Sequence, residues 1–323
     1  MRHFIFVTRA VPAPTLELLQ AELPGCQVVV NQQDRNLSRD EILAAARGAS
    51  GLICTLADPV DRALLQGLSP ALRVVATYAV GTNNIDLEAA RELNIRVANT
   101  PGVLTDATAE IAVGLMLACA RRMVEGDAMT RAGRFHGWAP LLHLGRGVYG
   151  KTVGILGAGR IGKRVAASMH HGFGCPVLYA SRSLHADWES ELGARQVPLD
   201  DLLRQSDFVS IHCPLTPETR HLLNAQRLAL LKPTAVLVNT GRGPVVDEAA
   251  LVAALRAGRL LAAGFDVYER EPALADGLKD LPNAVLLPHI GSATVETRDE
   301  MGRMCAQAVA DVLNSREPRH PVA

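Results

Sequence analysis

The sequence predicts an α/β protein of two domains, each built on a parallel sheet. Short apolar runs alternate with helical patterns along the whole chain, the alternation that βαβ units produce. The chain has 323 residues, whereas single cores stop growing at roughly 250. A glycine-rich turn near the middle, GILGAGRIG, opens a second series of the same kind.

The first series runs HFIFVT, TLELLQAEL, CQVVV, SRDEILAAARG, GLICTL, DRALLQGL, LRVVATYAVG, DLEAARELN and IRVANT. Apolar strands separated by helices of this length make a small α/β domain complete near residue 98. Asp106 to about Ala132 reads as one long helix, opened by an acid and small polar residues and expected to cross between the domains. The second series, KTVGILGAGRIGKRVAASM, PVLYA, SDFVSIHCP, PTAVLVNTG, RLLAAGFDV and AVLLPHIG, predicts a six-strand doubly wound sheet. A last helix, TVETRDEMGRMCAQAVADVLN, has no strand after it and is expected to return to the first domain. The expected domains are therefore 1–98 with 290–323, for substrate, and 99–289, for a dinucleotide. Two crossings make a hinge, and the cleft between the domains is where a substrate is expected.

Composition narrows the function. Hydrophobic residues at 48% and charged residues at 20% describe a globular chain. Lys plus Arg equals Asp plus Glu, 33 each, so no basic field gathers nucleic acid or anionic membrane. The N-terminal apolar run, FIFV, is too short for a signal peptide, and the run from Ile111 to Ala120 is too short to span a bilayer. A cytoplasmic protein is expected. The six cysteines include no CxxC pair and read as reduced core thiols. His170 and His171 are helix neighbours that point about 100° apart, so no metal site is expected.

The glycine turn follows the apolar strand TVGIL and opens the helix RIGKRVAASM, the context a dinucleotide-binding loop requires. Gly157 permits the tight turn, Gly159 lets backbone approach a pyrophosphate, and Gly162 allows close packing of helix on strand. The amides of Arg160 and Ile161 then face the phosphates. At the end of the next strand, Ala180, Ser181, Arg182 and Ser183 stand where an acid would bind the ribose of NAD, with no carboxylate until Asp187. An arginine between hydroxyls suits a 2′-phosphate, so NADP(H) is the expected cofactor. A solvated loop arginine with NAD(H) use is the alternative.

Arg242 ends the strand AVLVNTG, where open α/β sheets bind ligands, and can hold a carboxylate and polarise a keto oxygen. His289 ends AVLLPHIG and can pass a proton to or from that oxygen. Glu271, in REP, is the expected partner that favours the protonated imidazole. Each of the three is ambiguous alone; their order and the two strand ends point to catalysis.

At this level the chain resembles the D-isomer-specific 2-hydroxyacid dehydrogenases. The resemblance rests on TYAVGTNNIDLEAA, NTPGVLTDATAEIAVGLMLACAR, GKTVGILGAGRIG, CPLTPETRHLLN, VNTGRGPVVDEAALVAAL, GFDVYEREP and LPHIGSAT. It implies a Rossmann domain and a smaller flavodoxin-like α/β domain, with Arg242, Glu271 and His289 as the catalytic residues. It further implies that the Val80 and Gly81 backbone holds the substrate carboxylate and that Asp266 meets the nicotinamide carboxamide. Cys213, Thr240, Thr105 and Gly291 would complete the cofactor surroundings. The segment RAGRFHGWAPLLHLGRGVYGKTVGI is most similar to the glyoxylate/hydroxypyruvate and 2-ketogluconate reductases, in which a tryptophan corresponding to Trp138 caps the substrate pocket of a partner subunit. Glu271 stands where the formate dehydrogenase branch has glutamine. The implied activity is NAD(P)H-dependent reduction of small 2-keto acids to D-2-hydroxy acids by a homodimer. A 2-ketogluconate reductase and, further off, a nucleotide-sensing corepressor of the same fold are the alternatives.

Overall fold

A computed structural model describes residues 3–33 and 35–323. The chain forms two compact units: one runs to Leu104 and resumes at Ser292–Ala323, the other is Thr105–Gly291. In the first, β1 (Phe4–Val7), β2 (Gln27–Val30), β3 (Gly51–Cys54), β4 (Val74–Thr77) and β5 (Arg96–Ala98) alternate with α1 (Ala13–Glu22), α2 (Arg39–Ala45), α3 (Arg62–Leu68) and α4 (Leu87–Glu92). The second begins with α5 (Thr105–Ala120) and α6 (Met123–Arg131), followed by β6 (Val153–Leu156), α7 (Arg160–Phe173), β7 (Val177–Ala180), α8 (Ala186–Leu192) and β8 (Arg195–Gln196). It continues through α9 (Leu199–Gln205), β9 (Phe208–Ile211), α10 (Ala225–Leu228), β10 (Val236–Asn239), α11 (Glu248–Arg256), β11 (Ala262–Phe265) and β12 (Ala284–Leu286). The final helix, α12 (Val295–Leu313), belongs to the first unit.

The first sheet is parallel in the order β2-β1-β3-β4-β5, the flavodoxin-like arrangement. Successive side chains of a strand point to opposite faces, so one residue run feeds two cores. Ile5 and Val7 pack with Leu19 of α1 and with Met301 and Val309 of α12. Phe6, between them, packs with Ile42, Leu64 and Ala89 of the helices on the other face. Helices begin where Ser38, Asp61, Asp86 and Thr294 accept amide hydrogen bonds from the first turn.

The second sheet is parallel in the order β12-β11-β10-β9-β6-β7-β8. It contains seven strands, one more than the sequence predicts: β8 is only two residues long and pairs at the edge with Leu178 and Tyr179, too short for a periodic signal. Strand order runs outward in both directions from the β6/β9 pair, and such a switch point opens a crevice at the C-terminal strand ends.

Three other expectations change. The long helix breaks at Arg122, whose φ is 54°, and the Ala120 carbonyl instead accepts the Arg146 amide at 2.7 Å. The expected crossing helix lies wholly in the second unit, because Ala112, Leu115, Met116 and Cys119 share a core with Val153, Ile155, Val236 and Val238. The unit boundaries at 104 and 291, against the expected 98 and 289, follow local hydrogen bonds. The Thr100 amide binds the Ala79 carbonyl at 2.9 Å, holding the chain beyond β5 to the first unit. Asp266 holds the Ile290 and Gly291 amides, both at 2.7 Å, to the second.

Candidate functional site

The glycine loop joins β6 to α7 at the switch point. Gly157 has φ 100°, and a Cβ there would lie 2.4 Å from the Cys213 nitrogen and 2.7 Å from the His212 carbonyl carbon. Only glycine lets the loop press against the end of β9 in this way. A Cβ on Gly162 would meet the Gly157 oxygen at 2.4 Å, so helix and loop are equally close. Gly159 has open space around its Cβ position and caps α7 without a side-chain hydrogen bond. The first amides of α7 thus have no side-chain acceptor from the cap.

Several buried polar groups near this loop lack a hydrogen-bond partner among the described residues: Thr240 Oγ1 and both ring nitrogens of His212. Burial pulls the His212 imidazole down to about 3 and pushes the Cys213 thiol up to about 11, so both are neutral. A glycine cradle with an open helix N-terminus and unpartnered donors and acceptors beside it fits a dinucleotide. The Ser181–Ser183 corner at the end of β7 is fixed by Gln196, whose Nε2 donates to the Ser181 carbonyl at 2.7 Å and the Ser183 carbonyl at 3.3 Å. Arg182 is exposed there. Asp187, the first carboxylate after it, is engaged by Lys163, which also reaches Glu191 at 3.0 Å.

Across the same sheet edge, His289 Nδ1 and Glu271 Oε2 are 2.8 Å apart. The other carboxylate oxygen of Glu271 accepts the Tyr268 amide at 3.0 Å, and the Tyr268 hydroxyl donates to the Leu287 carbonyl at 2.8 Å, two residues before the histidine. Burial alone would raise the Glu271 carboxyl. The bond and charge of His289, with help from the Tyr268 amide and Arg242, more than reverse this and hold it below its ordinary value. His289 has φ 56°, and the turn after it is held by Asp266, whose two oxygens take the Ile290 and Gly291 amides. Burial raises the Asp266 carboxyl despite those bonds.

Arg242 follows β10. Asn239 shapes that turn: its Oδ1 accepts the Gly241 amide at 3.0 Å and its Nδ2 donates to the Arg242 carbonyl at 2.9 Å. Burial lowers the Arg242 guanidinium, and the charge of Glu271 opposes this. The group stays a cation at neutral pH.

Arg242, Glu271, His289, Asp266, Gly291 and Thr240 therefore stand on the C-terminal side of β10, β11 and β12. Thr105 opens α5, whose Thr108 side chain lies 3.3 Å from a Cβ built on Gly291. Val80 and Gly81 lie in the first unit, just beyond β4, where Asn99 donates to the Val80 carbonyl at 2.7 Å. Trp138 is 83% exposed. Sequence reasoning missed Asn239, Tyr268 and Glu248, whose side chains hydrogen-bond backbone near the site. Asn239, two residues before a glycine in VNTGRG, carried an Asx-turn signal; the other two carried none.

Residues 113–291 match the family described as D-isomer specific 2-hydroxyacid dehydrogenase, NAD binding domain. A glyoxylate reductase of Thermococcus kodakarensis is 45% identical over 98% of this chain and 95% of its own. A crystal structure of a protein from Thermus thermophilus superposes with a TM-score of 0.93 at 44% identity, covering 99% of this chain and 100% of that one. The NADPH-dependent glyoxylate/hydroxypyruvate reductase of Sinorhizobium meliloti, solved with NADP and malonate, superposes at 0.86 with 34% identity, covering 100% and 97%. With the parallel sheets, the glycine loop and the histidine–glutamate pair in place, the chain belongs to the D-isomer specific 2-hydroxyacid dehydrogenases, a family of nicotinamide-dependent oxidoreductases.

Proposed function

We propose that this enzyme reduces small 2-keto acids to D-2-hydroxy acids, glyoxylate and hydroxypyruvate foremost, with NADP(H) preferred over NAD(H). The observation that carries the reading is the 2.8 Å contact between His289 and Glu271, on the sheet edge that also presents Arg242. Glu271 occupies Nδ1 and leaves Nε2 of His289 for the substrate oxygen. In reduction, Nε2 delivers a proton to that oxygen as it gains negative charge; in oxidation it removes the proton. Arg242 binds the substrate carboxylate and stabilises the developing charge on the oxygen. A nicotinamide cofactor, when bound, supplies the hydride.

The chain's own residues divide the binding work. Gly157, Gly159 and Gly162 shape the loop, while the Arg160 and Ile161 amides take the pyrophosphate charge. Thr105, Cys213, Thr240 and Gly291 border the cofactor, and Asp266, with lone pairs beyond those used by Ile290 and Gly291, accepts the carboxamide. Val80 and Gly81 amides of the first unit grip the substrate carboxylate. Preference for NADP(H) is supported by Ser181, Arg182 and Ser183 at the end of β7 and by the engagement of Asp187 with Lys163. The exposed stretch around Trp138 supports a homodimer in which that ring caps the neighbour's pocket, and a cytoplasmic enzyme fits the reading.

The test is kcat/KM for glyoxylate, hydroxypyruvate and 2-ketogluconate with each cofactor. NADPH should exceed NADH by about tenfold or more, equivalent to about 1.4 kcal/mol. Equal use or an NADH preference overturns the cofactor assignment. Absence of turnover on every acid, with NADPH still bound, overturns the activity.

A further inference from the structure

Glu248 opens α11 directly after its N-cap Asp247, which accepts the Ala250 amide at 3.0 Å. An acid in a first helical turn is ordinarily solvated, favoured there by the helix dipole alone. Glu248 is instead 3% exposed and turned inward, its Oε1 accepting the Glu269 amide at 2.6 Å. The carboxyl therefore ties the start of α11 to the loop that carries Glu271, with the Ala275 amide also near it. Burial raises its carboxyl, and the charges of Glu269 and Glu271 add to this while the two amides oppose it. An apolar residue of similar size would leave the Glu269 amide without this acceptor. The placement has a reason beyond packing.

We infer that Glu248 is a positioning residue whose carboxyl fixes the Tyr268–Glu269 peptide and thereby orients Glu271 toward His289. The inference rests on the reading of Glu271 and His289 as a catalytic pair. The links are continuous. Glu248 binds the Glu269 amide at 2.6 Å, the adjoining Tyr268 amide binds Glu271 Oε1 at 3.0 Å, and Glu271 Oε2 meets His289 at 2.8 Å. On its other side the peptide presses on Gly243, where a Cβ would lie 1.9 Å from the Tyr268 carbonyl carbon and 2.5 Å from the Glu269 nitrogen. Gly243 is the neighbour of Arg242, so the peptide lies between the segment that carries Arg242 and the one that carries Glu271. The Glu269 carboxylate has its own partners, His221 Nε2 at 2.8 Å and Arg220 at 3.6 Å.

The experiment measures kcat, KM for glyoxylate and NADPH affinity by fluorescence titration in Glu248→Ala and Glu248→Gln, each alone and combined with Glu271→Gln. Glu248→Ala should lower kcat about tenfold, with KM and NADPH affinity within about threefold. Glu248→Gln retains an acceptor oxygen for the Glu269 amide and should restore kcat to within about threefold. In the Glu271→Gln background the alanine change should cost less than about twofold more, because the group it orients is already lost. An alanine variant with lowered thermal stability but unchanged kcat, or effects that multiply in the double variant, overturns the inference. Should the alanine variant not fold, a tenfold loss of kcat in folded Glu248→Gln overturns it as well. Unchanged kcat in Glu271→Gln alone would instead overturn the catalytic pair itself.

Discussion

At the residue scale the pair of His289 and Glu271 concentrates the chemistry, and its two members answer to different measurements. Replacing His289 with glutamine keeps a hydrogen-bonding side chain but removes the transferable proton, so kcat for glyoxylate should fall by roughly 10² or more. Near-normal steady-state turnover would remove His289 from the proton path. Glu271 acts through position: its carboxylate lies 2.8 Å from Nδ1, which fixes the ring and leaves Nε2 for the substrate oxygen. Glu271→Gln should therefore lower kcat for glyoxylate at least about tenfold while NADPH affinity by fluorescence titration stays unchanged, and unchanged turnover would contradict that role. The carboxyl itself is held below its ordinary value by His289, the Tyr268 amide and Arg242, against the cost of burial. With the folded value depressed, the Glu271 carboxylate's contribution to stability is complete above the unfolded value of about 4.3 and is lost as pH falls through the lower folded value. The order of the three charged residues was legible in the sequence because two of them end apolar strands. Their supports were not: Glu248 reads as an ordinary first-turn acid, and its 2.6 Å bond to Glu269 depends on a loop 21 residues away.

At the element scale the glycine loop separates two jobs that its pattern alone merges. Gly157 serves the fold: with φ 100° and a would-be Cβ 2.4 Å from the Cys213 nitrogen, alanine there strains the backbone and drives the loop from β9. Gly157→Ala should cost about 2 kcal/mol or more, seen as a lowered denaturation midpoint. Gly159 serves the ligand: its φ is −88° and nothing lies within 4 Å of a Cβ built on it. Gly159→Ala should keep the wild-type midpoint and weaken NADPH binding at least tenfold, since its methyl enters the space that backbone leaves for a phosphate. Equal affinities in titration would place the phosphates elsewhere. Strands were legible wherever apolar residues ran together, as in β3, β4, β6 and β7, which are buried along their whole length. The two-residue β8 lies below what periodicity can register, and the break at Arg122 comes from a distant partner, the Arg146 amide, rather than from a proline or glycine at the break.

At the scale of the whole molecule, one stretch stands apart from the burial pattern of the rest. Trp138, Leu141 and Tyr149 are 83%, 82% and 77% exposed, with Phe135 and Leu144 at 52% and 61%. Helix α6, just before them, has no buried residue, and its Met123 and Val124 are more than half exposed. Exposed apolar side chains scattered singly are normal, and so many within one segment support the homodimer proposed above. A second copy of the chain is the proposed occupant, and a stable homodimer would bury on the order of 800 Å² or more on each subunit. The purified protein should therefore sediment at twice the 34.5 kDa chain mass. Leu141→Asp with Leu144→Asp should shift it toward the monomer by placing charges in the apolar contact. Trp138→Ala should leave the mass doubled while raising KM for the keto acid several-fold, because it removes the cap without the surrounding contact. The aspartate pair should raise KM to a similar degree, since a monomer receives no cap from a neighbour. A monomeric aspartate variant with unchanged KM would show that Trp138 serves no neighbouring pocket.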